Sequence, residues 1–176
     1  MGMPIIREWE ALGGRPALGI SVVTAASGDQ FGTMRLALQS MRALDHEEEM
    51  ARTGSWPQSV RLQARDAVRW ATANGAHTIG MENDIGSLTV GKKGDVIVIK
   101  PGPFSLPMIN PWSTVVVQST RHDVTDVVVD GRVVKRDGVL ATDLERLKEQ
   151  LMASHYRVFD KVNAAGGLDV AVDLPS

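Results

Sequence analysis

The residues with the greatest capacity for chemistry are four histidines, and their spacing forms no known metal-binding motif. They are His46, His77, His122 and His155. A zinc or iron site needs three or four ligands that converge on one point, and no pair here stands as His-x-His or His-Glu-x-x-His. His46 precedes Glu47–Glu49, where a carboxylate-rich metal site is the alternative to a solvated charged face. We therefore expect the histidines to serve local structure, packing or interfaces.

The sequence also lacks the usual patterns for nucleophilic and phosphate chemistry. It contains no cysteine, which excludes disulfides, thiolate metal sites and cysteine nucleophiles. No Gly-x-Ser-x-Gly segment offers a serine nucleophile on a strand-to-helix turn. The Gly-Lys-Lys-Gly segment at 91–94 has the wrong glycine spacing for a phosphate-binding loop and is typical of a hairpin turn.

Charge and hydropathy exclude two classes of partner. The formal net charge is -2 and the basic residues are scattered, which argues against nucleic acid and anionic membrane. No run of 18 apolar residues is present, so we expect no transmembrane segment. Arg7, Glu8 and Glu10 fall where a signal peptide would need an apolar run. A cytoplasmic location is therefore expected.

The first half of the chain is predicted to hold one buried strand followed by helices. The apolar run Leu18–Thr24 is typical of a strand that is buried on both faces. Asp29 is a predicted N-cap for the next helix, because its carboxylate can accept the free amides of the first turn. The apolar face of that helix consists of Phe31, Met34, Leu38 and Met41. The segment Ser55–Gln58 predicts the start of another helix by its capping pattern.

The second half changes to β character and ends in a helix. Strands are predicted over 95–100 and 114–118, and Asp130-Gly131 predicts a tight hairpin between two valine-rich segments. The segment Thr142–Glu145 has a capping-box pattern, with threonine as the cap. The helix that it begins carries an apolar stripe of Leu144, Leu147, Leu151, His155, Val158 and Val162.

Three segments, 67–76, 85–99 and 127–138, carry a family resemblance. They are similar to the C-terminal part of the amidohydrolase superfamily, and most of all to its cytosine deaminase and chlorohydrolase-like branch. The middle segment, with its Gly-Lys-Lys-Gly-Asp turn before a valine and isoleucine strand, is the most specific. The similarity extends over about residues 14–160.

The resemblance implies an architecture. Residues 1–81 would be a mostly helical fragment of a TIM barrel, namely the last strand and the helices that follow it. Residues 82–140 would form the C-terminal half of a small β-sandwich, and residues 141–176 a C-terminal helix and tail. The expected fold class is α/β or α+β, and one buried strand cannot complete an α/β sheet by itself.

The resemblance also implies a chemistry that this chain lacks. The family hydrolyses non-peptide carbon–nitrogen bonds with zinc or iron, and an Asp at the end of the last barrel strand binds the metal and handles the proton of the attacking water. Ser21 occupies the matching position, and a neutral hydroxyl is a poor ligand and base near pH 7. Asp29 is a weak substitute, because helix capping explains it. We therefore predict no metal, no cofactor and no activity for the isolated chain.

A barrel fragment implies a partner. Apolar faces and strand edges that a complete enzyme would cover favour association, so we predict a homo-oligomer or a complex with a chain that carries the missing barrel. The predicted contact surfaces are the helix 142–163 and the edges of strands 95–100 and 114–118. Three functions remain open: a silent amidohydrolase remnant, a subunit of a metal-dependent hydrolase that another chain completes, and a non-catalytic oligomerisation or interaction module.

Overall fold

A computed structural model describes residues 5–23 and 27–167 and divides the chain into two compact units, Met1–Val139 and Leu140–Ser176. Thr24, the end of the predicted strand, and the C-terminal tail after residue 167 lie outside the described residues. In the first unit, helices occupy the N-terminal part and a small sheet follows them.

The longest helix of the first unit confirms the sequence prediction. Helix α1 spans Ile6–Ala11 and α2 spans Gln30–Thr53. Asp29 is the N-cap of α2, and Gly54 ends the helix in the left-handed conformation with φ 70°, which glycine adopts without steric cost. The predicted apolar face of α2 is buried, with Ala37 added to it.

The next helix begins later than predicted. The prediction of a helix from Ser55 was wrong, since α3 spans Ala64–Ala71 and Gln63 caps it in a reciprocal box with Asp66. The proposed first turn could not be stabilised by packing, because the side chain of Trp56 is 69% exposed and short helices depend on a buried face. Helix α4, Ala73–Thr78, follows directly.

The predicted N-terminal strand was also wrong. Residues 16–22 are irregular, with a turn at 23, in the described part of that segment. Ser21 has φ 65°, which interrupts extended pairing, and Val22 and Val23 are exposed. A strand needs a neighbour for its backbone amides and carbonyls, and the sheet of the described residues consists of four other strands.

The four strands have the order β1-β2-β3-β4, and β2 pairs antiparallel with both β1 and β3. The strands are β1 at Val96–Ile99, β2 at Val124–Val129, β3 at Arg132–Arg136 and β4 at Val139–Leu140. The predicted hairpin joins β2 to β3, and Asp130 and Gly131 both have positive φ, 49° and 76°, as a type I′ turn requires. The predictions of a strand near 95–100 and of this hairpin are confirmed.

The strand predicted at 114–118 is helical instead. Helix α5, Pro111–Ser113, runs into a π-helical turn at Thr114–Gln118. Asn110 accepts a hydrogen bond from the Ser113 amide and proline takes the first turn, so local capping outweighs the β preference of the three valines. The turn places Val116 fully inside the core.

One core joins these elements. The buried side chains come from α1, α2, α3, the π-helical turn and β2, with Trp70, Leu38, Met41 and Val116 almost completely inaccessible. Arg35 of α2 fixes the π-helical turn to that helix, since its guanidinium donates to the carbonyls of Val117 and Ser119 at 2.9 and 2.7 Å. The core is therefore mostly helix packed on helix, with the sheet at one side.

The second unit contains α6, Leu144–Ala164. The helix was predicted, but its cap is Asp143, which accepts from the Arg146 amide at 3.0 Å, and the prediction of Thr142 as cap was wrong. None of the described residues of α6 is buried. Among the helices of residues 5–23 and 27–167, none is long and apolar enough to span a membrane.

Candidate functional site

The irregular segment that carries Ser21 is held by two hydrogen bonds at residues 16 and 18, and residues 21–23 are exposed. Asn74 donates to the Pro16 carbonyl at 2.7 Å, and the Leu18 amide donates to the Trp70 carbonyl at 3.2 Å. These bonds hold residues 16–18 against α3 and α4. Beyond them Ser21 and Val23 are exposed, the latter by 74%. The position of interest therefore lies on an exposed arm with no partner strand in the described structure.

An apolar groove lies beside this arm. It has a volume of about 1010 Å³ and is lined by α1, residues 13–19, α2 and the end of α4. Its large apolar side chains are Ile5, Ile6, Trp9, Leu18 and Leu36. Leu36, in the second turn of α2, is 69% exposed, so this face of the helix is open to water. We name this surface the apolar groove; it is lined by residues 5, 6, 9, 13–19, 33, 36, 37, 77 and 78.

A smaller pocket of about 440 Å³ is lined by several charged side chains, and three of them make structural contacts. Glu10 accepts from the Trp70 indole at 3.1 Å. Asp66 accepts from the Gln63 amide at 2.8 Å. The Lys92 ammonium donates to the carbonyls of Glu82 and Ile85. The first contact joins α1 to α3, the second lies within the first turn of α3, and the third lies within the segment before the sheet.

His77 and Glu82 form the histidine–carboxylate pair of the described residues, at 3.1 Å between Nδ1 and Oε1. The pKa of the Glu82 carboxyl is lowered, first by a hydrogen bond from the backbone of its own residue and then by the one from His77. A lowered pKa adds stability above the ordinary pKa of glutamate, and this contribution is lost as pH falls through the lowered value. Both side chains are well exposed, so the effect on stability is small.

The structure does not bring the histidines together into a ligand set. His46 lies in α2, His77 in α4, His122 in the short 3-10 helix Arg121–Asp123 and His155 in α6. Within residues 5–23 and 27–167, no group of three or more His, Asp or Glu side chains could hold a metal ion. Zinc and iron need at least three such protein ligands, so the donors present do not fit the metal of the family that the sequence resembles.

Asp29 has a structural role that the sequence predicted. Its carboxylate accepts from the Phe31 amide at 3.0 Å, and its own carbonyl accepts from the Thr33 amide and hydroxyl. Oδ1 is thereby committed to the first turn of α2, so N-capping is the role that the structure shows for Asp29.

Replacing Asp29 with alanine is expected to lower the free energy of unfolding by about 1 kcal/mol, because one amide of the first turn loses its acceptor. Urea unfolding followed by circular dichroism measures the change. Asp29→Asn serves as the matched control and should cost only a few tenths of a kcal/mol, since asparagine caps about equally well. Equal losses in the two variants would show that the charge, and not the cap, is what matters.

Two features of this region were not predicted. The apolar groove combines residues from α1, α2 and α4, and no local pattern indicates that they meet. Arg7 and Arg61 both pair with Asp45, at 3.1 Å each, although they are far apart in sequence. The only sequence signal was the exposed apolar character of Leu36, which lies outside the predicted apolar face of α2.

Comparisons with known proteins define the class to which this fold belongs. The model of the amidohydrolase family matches residues 7–134, well over half of the chain. The 5-methylthioadenosine/S-adenosylhomocysteine deaminase of Desulforudis audaxviator is 35% identical over 156 residues, which cover 83% of this chain and 36% of that protein. The S-triazine hydrolase of Gordonia rubripertincta is 40% identical over 75 residues, 42% of this chain and 16% of the relative. The chain belongs to the amidohydrolase family.

Solved structures agree with this assignment. A triazine hydrolase from Arthobacter aurescens superposes with a TM-score of 0.69 at 26% identity, over 84% of this chain and 31% of that one. An adenosine deaminase from Xanthomonas campestris with bound zinc gives 0.69 at 24% identity, over 85% and 32%, and this likeness shows the fold alone. The chain thus has a mixed α/β structure with neighbours of the amidohydrolase fold, and it spans about a third of the length of these relatives.

Proposed function

We propose that this chain is the C-terminal segment of an amidohydrolase that acts on non-peptide carbon–nitrogen bonds, and that it is catalytically silent by itself. In this proposal the arm at residues 16–23 corresponds to the last strand of a TIM barrel, and β1–β4 form half of a small sandwich. The length of the relatives supports it, because about two thirds of each has no counterpart in this chain.

The observation that carries the proposal is the serine at position 21. The family resemblance assigns a metal-binding, proton-handling aspartate to this position, and the chain has Ser21 on an exposed irregular arm. A hydroxyl has a proton that it does not release near pH 7, so it neither binds a divalent cation firmly nor accepts the proton of a water molecule. Asp29 is not a ready substitute, since its carboxylate caps α2.

The relatives indicate the substrate class. Those described above are named as deaminases of adenosine derivatives and as hydrolases of triazines, so the ancestral reaction of this chain is proposed to be hydrolysis at a carbon–nitrogen bond of a nitrogen-rich compound. Specificity is assigned to the part of the relatives that this chain does not cover. In this proposal, residues 5–23 and 27–167 contribute structural support to the enzyme and do not determine its substrate specificity.

Metal analysis together with an activity assay tests whether the isolated chain is catalytically inactive. We expect the purified chain, supplied with zinc or iron and then desalted, to retain well below one equivalent of metal and to leave 5-methylthioadenosine unchanged. Ser21→Asp alone should behave in the same way, because one carboxylate is fewer than the three ligands that a site needs. One tightly held equivalent in the unaltered chain, with measurable turnover, would contradict the proposal.

A second candidate is a subunit of a hydrolase that another chain completes, and the apolar groove favours it. Ile5, Trp9 and Leu36 are exposed there, next to an arm whose residues 19–23 make no backbone hydrogen bond to other described residues. Soluble chains rarely expose contiguous apolar surface of this kind unless it binds something, and the edge of an extended segment can accept a strand from another chain. Such a partner would supply the missing ligands.

A further inference from the structure

Helix α1 is attached to the rest of the first unit by few side chains. It has six residues, its N-cap Ile5 makes no side-chain hydrogen bond, and Ile6 is its one buried residue. Among the described residues, the backbone hydrogen bonds of residues 5–14 all stay within that segment, and Trp9 lies against Gly14 of the same segment. A helix this short is not stable by itself in water. Its position therefore depends on the side chains that reach α2 and α3.

The side chains that attach α1 are mainly polar. The Arg7 guanidinium donates to the carboxylates of Asp45 and Glu48 in α2, at 3.1 and 2.9 Å. Glu10 accepts a hydrogen bond from the indole of Trp70 in α3 at 3.1 Å. One buried isoleucine stands against these three bonds. Charge and hydrogen bonding, more than apolar burial, therefore hold α1 in its place.

The pair of Arg7 with Asp45 is the least solvated of the ionic links. Its side chains are 24% and 20% exposed, whereas the side chain of Glu48 is 72% exposed, so water and salt screen the Glu48 link more. The Nε atom of Arg7 is buried and has no hydrogen-bond partner among the described residues. A partly buried guanidinium that loses its carboxylate is left without compensation, which destabilises the conformation that buries it. The attached position of α1 therefore depends on the charge of Asp45.

We propose that residues 5–14, which we name the strap, are a releasable wall of the apolar groove and that Asp45 is the latch that holds them. Three apolar side chains of residues 5–9 line that groove, so release of the strap removes one wall and widens the groove beside Leu18 and Leu36. High salt, or a basic group that competes for the latch carboxylate, would open it. The inference does not depend on the proposed amidohydrolase function, since it concerns the attachment of α1 alone.

Hydrogen exchange measured by mass spectrometry on the full chain tests the proposal. Asp45→Asn should raise the exchange rate of the hydrogen-bonded amides of residues 9–14 by about tenfold or more, while the amides of α2 and α3 exchange as before. The substitution lies outside the strap, so the intrinsic exchange rates of the strap amides do not change. Glu49→Gln is the matched control. It removes the same charge from the same helix, but Glu49 pairs with Arg52 of α2 itself, so the strap should exchange as in the unaltered chain.

Salt and an apolar fluorescent dye give two further measurements. In about 1 M sodium chloride, where the screening length is about 3 Å, exchange of the strap amides in the unaltered chain should rise by about threefold or more. Dye fluorescence should increase with Asp45→Asn and not with Glu49→Gln, because only the first variant widens the groove.

Four results would overturn the proposal. Unprotected strap amides in the unaltered chain would show that α1 is not held closed, and equal effects of Asp45→Asn and Glu49→Gln would show that Asp45 is not the latch. A parallel rise in exchange at α2 and α3 would show that the unit opens as a whole. Release of the strap without a gain in dye fluorescence would show that it does not control the apolar groove.

Discussion

Replacing Trp70 with alanine is expected to lower the free energy of unfolding by about 3–5 kcal/mol, the loss typical of a buried aromatic residue. The indole is 1% exposed and lies where α3 meets the rest of the core. Its Nε1 donates to Glu10 of α1 at 3.1 Å, so the variant also leaves a partly buried carboxylate without this donor. Since domains of this size have only about 5–15 kcal/mol of net stability, urea unfolding should show a large shift of the midpoint.

Two variants separate the contributions of the indole. Trp56→Ala removes an equally large side chain that is 69% exposed, and it should change stability by no more than about 0.5 kcal/mol. Trp70→Phe retains most of the apolar volume but not the hydrogen bond, so an intermediate loss is expected. Similar effects of Trp70→Ala and Trp56→Ala would show that the core is not built around α3.

The elements that could be predicted from the sequence are those that are stabilised by residues within the same segment. The N-cap Asp29 and the apolar face of α2 lie within a few residues of each other, so their pattern specifies the helix. The hairpin at Asp130-Gly131 depends on two residues that tolerate positive φ. In both cases the information that selects the conformation is contained in the segment itself, and the structure confirms the prediction.

The elements that were missed depend on contacts or caps elsewhere. The apolar run at residues 18–23 has strand character, yet a strand requires a neighbour, and in the described structure none lies beside it. The valines at 115–117 favour a strand by propensity, but Asn110 and Pro111 start a helical turn before them. Arg35 then holds that turn from 82 residues away in sequence. Such distant bonds leave no periodic signal.

The features of the candidate site also differ in whether the sequence could predict them. The role of Asp29 followed from its position before an apolar helix, and the significance of Ser21 followed only from the resemblance to a family whose members have an aspartate there. The apolar groove could not be predicted, because its residues come from three helices that approach one another only in the folded chain. Chemistry that depends on one residue type is visible in a sequence, whereas shape is not.

If another chain completes the barrel, restoring the carboxylate should restore activity. We expect the unaltered chain, co-expressed with the part of a deaminase relative that it does not cover, to form an inactive complex. Ser21→Asp in the same complex should raise the hydrolytic rate by about 10²–10⁴-fold, the range that a positioned acid–base group contributes. Steady-state rates of the purified complex, with its zinc content, measure the effect.

The control for this test is a variant with a carboxylate at another position of the same loop. Ser27→Asp introduces the same charge six residues away, before the cap of α2, and it should leave the complex inactive, because a metal ligand must converge with the others on one point. A gain with Ser27→Asp as large as with Ser21→Asp would point to a general effect of charge on assembly. A complex that forms but stays inactive with Ser21→Asp would contradict the assignment of position 21. In this proposal the arm at 16–23 must form a strand before the carboxylate at position 21 can reach the metal. A gain in activity with Ser21→Asp would therefore also indicate that the partner chain binds beside the apolar groove.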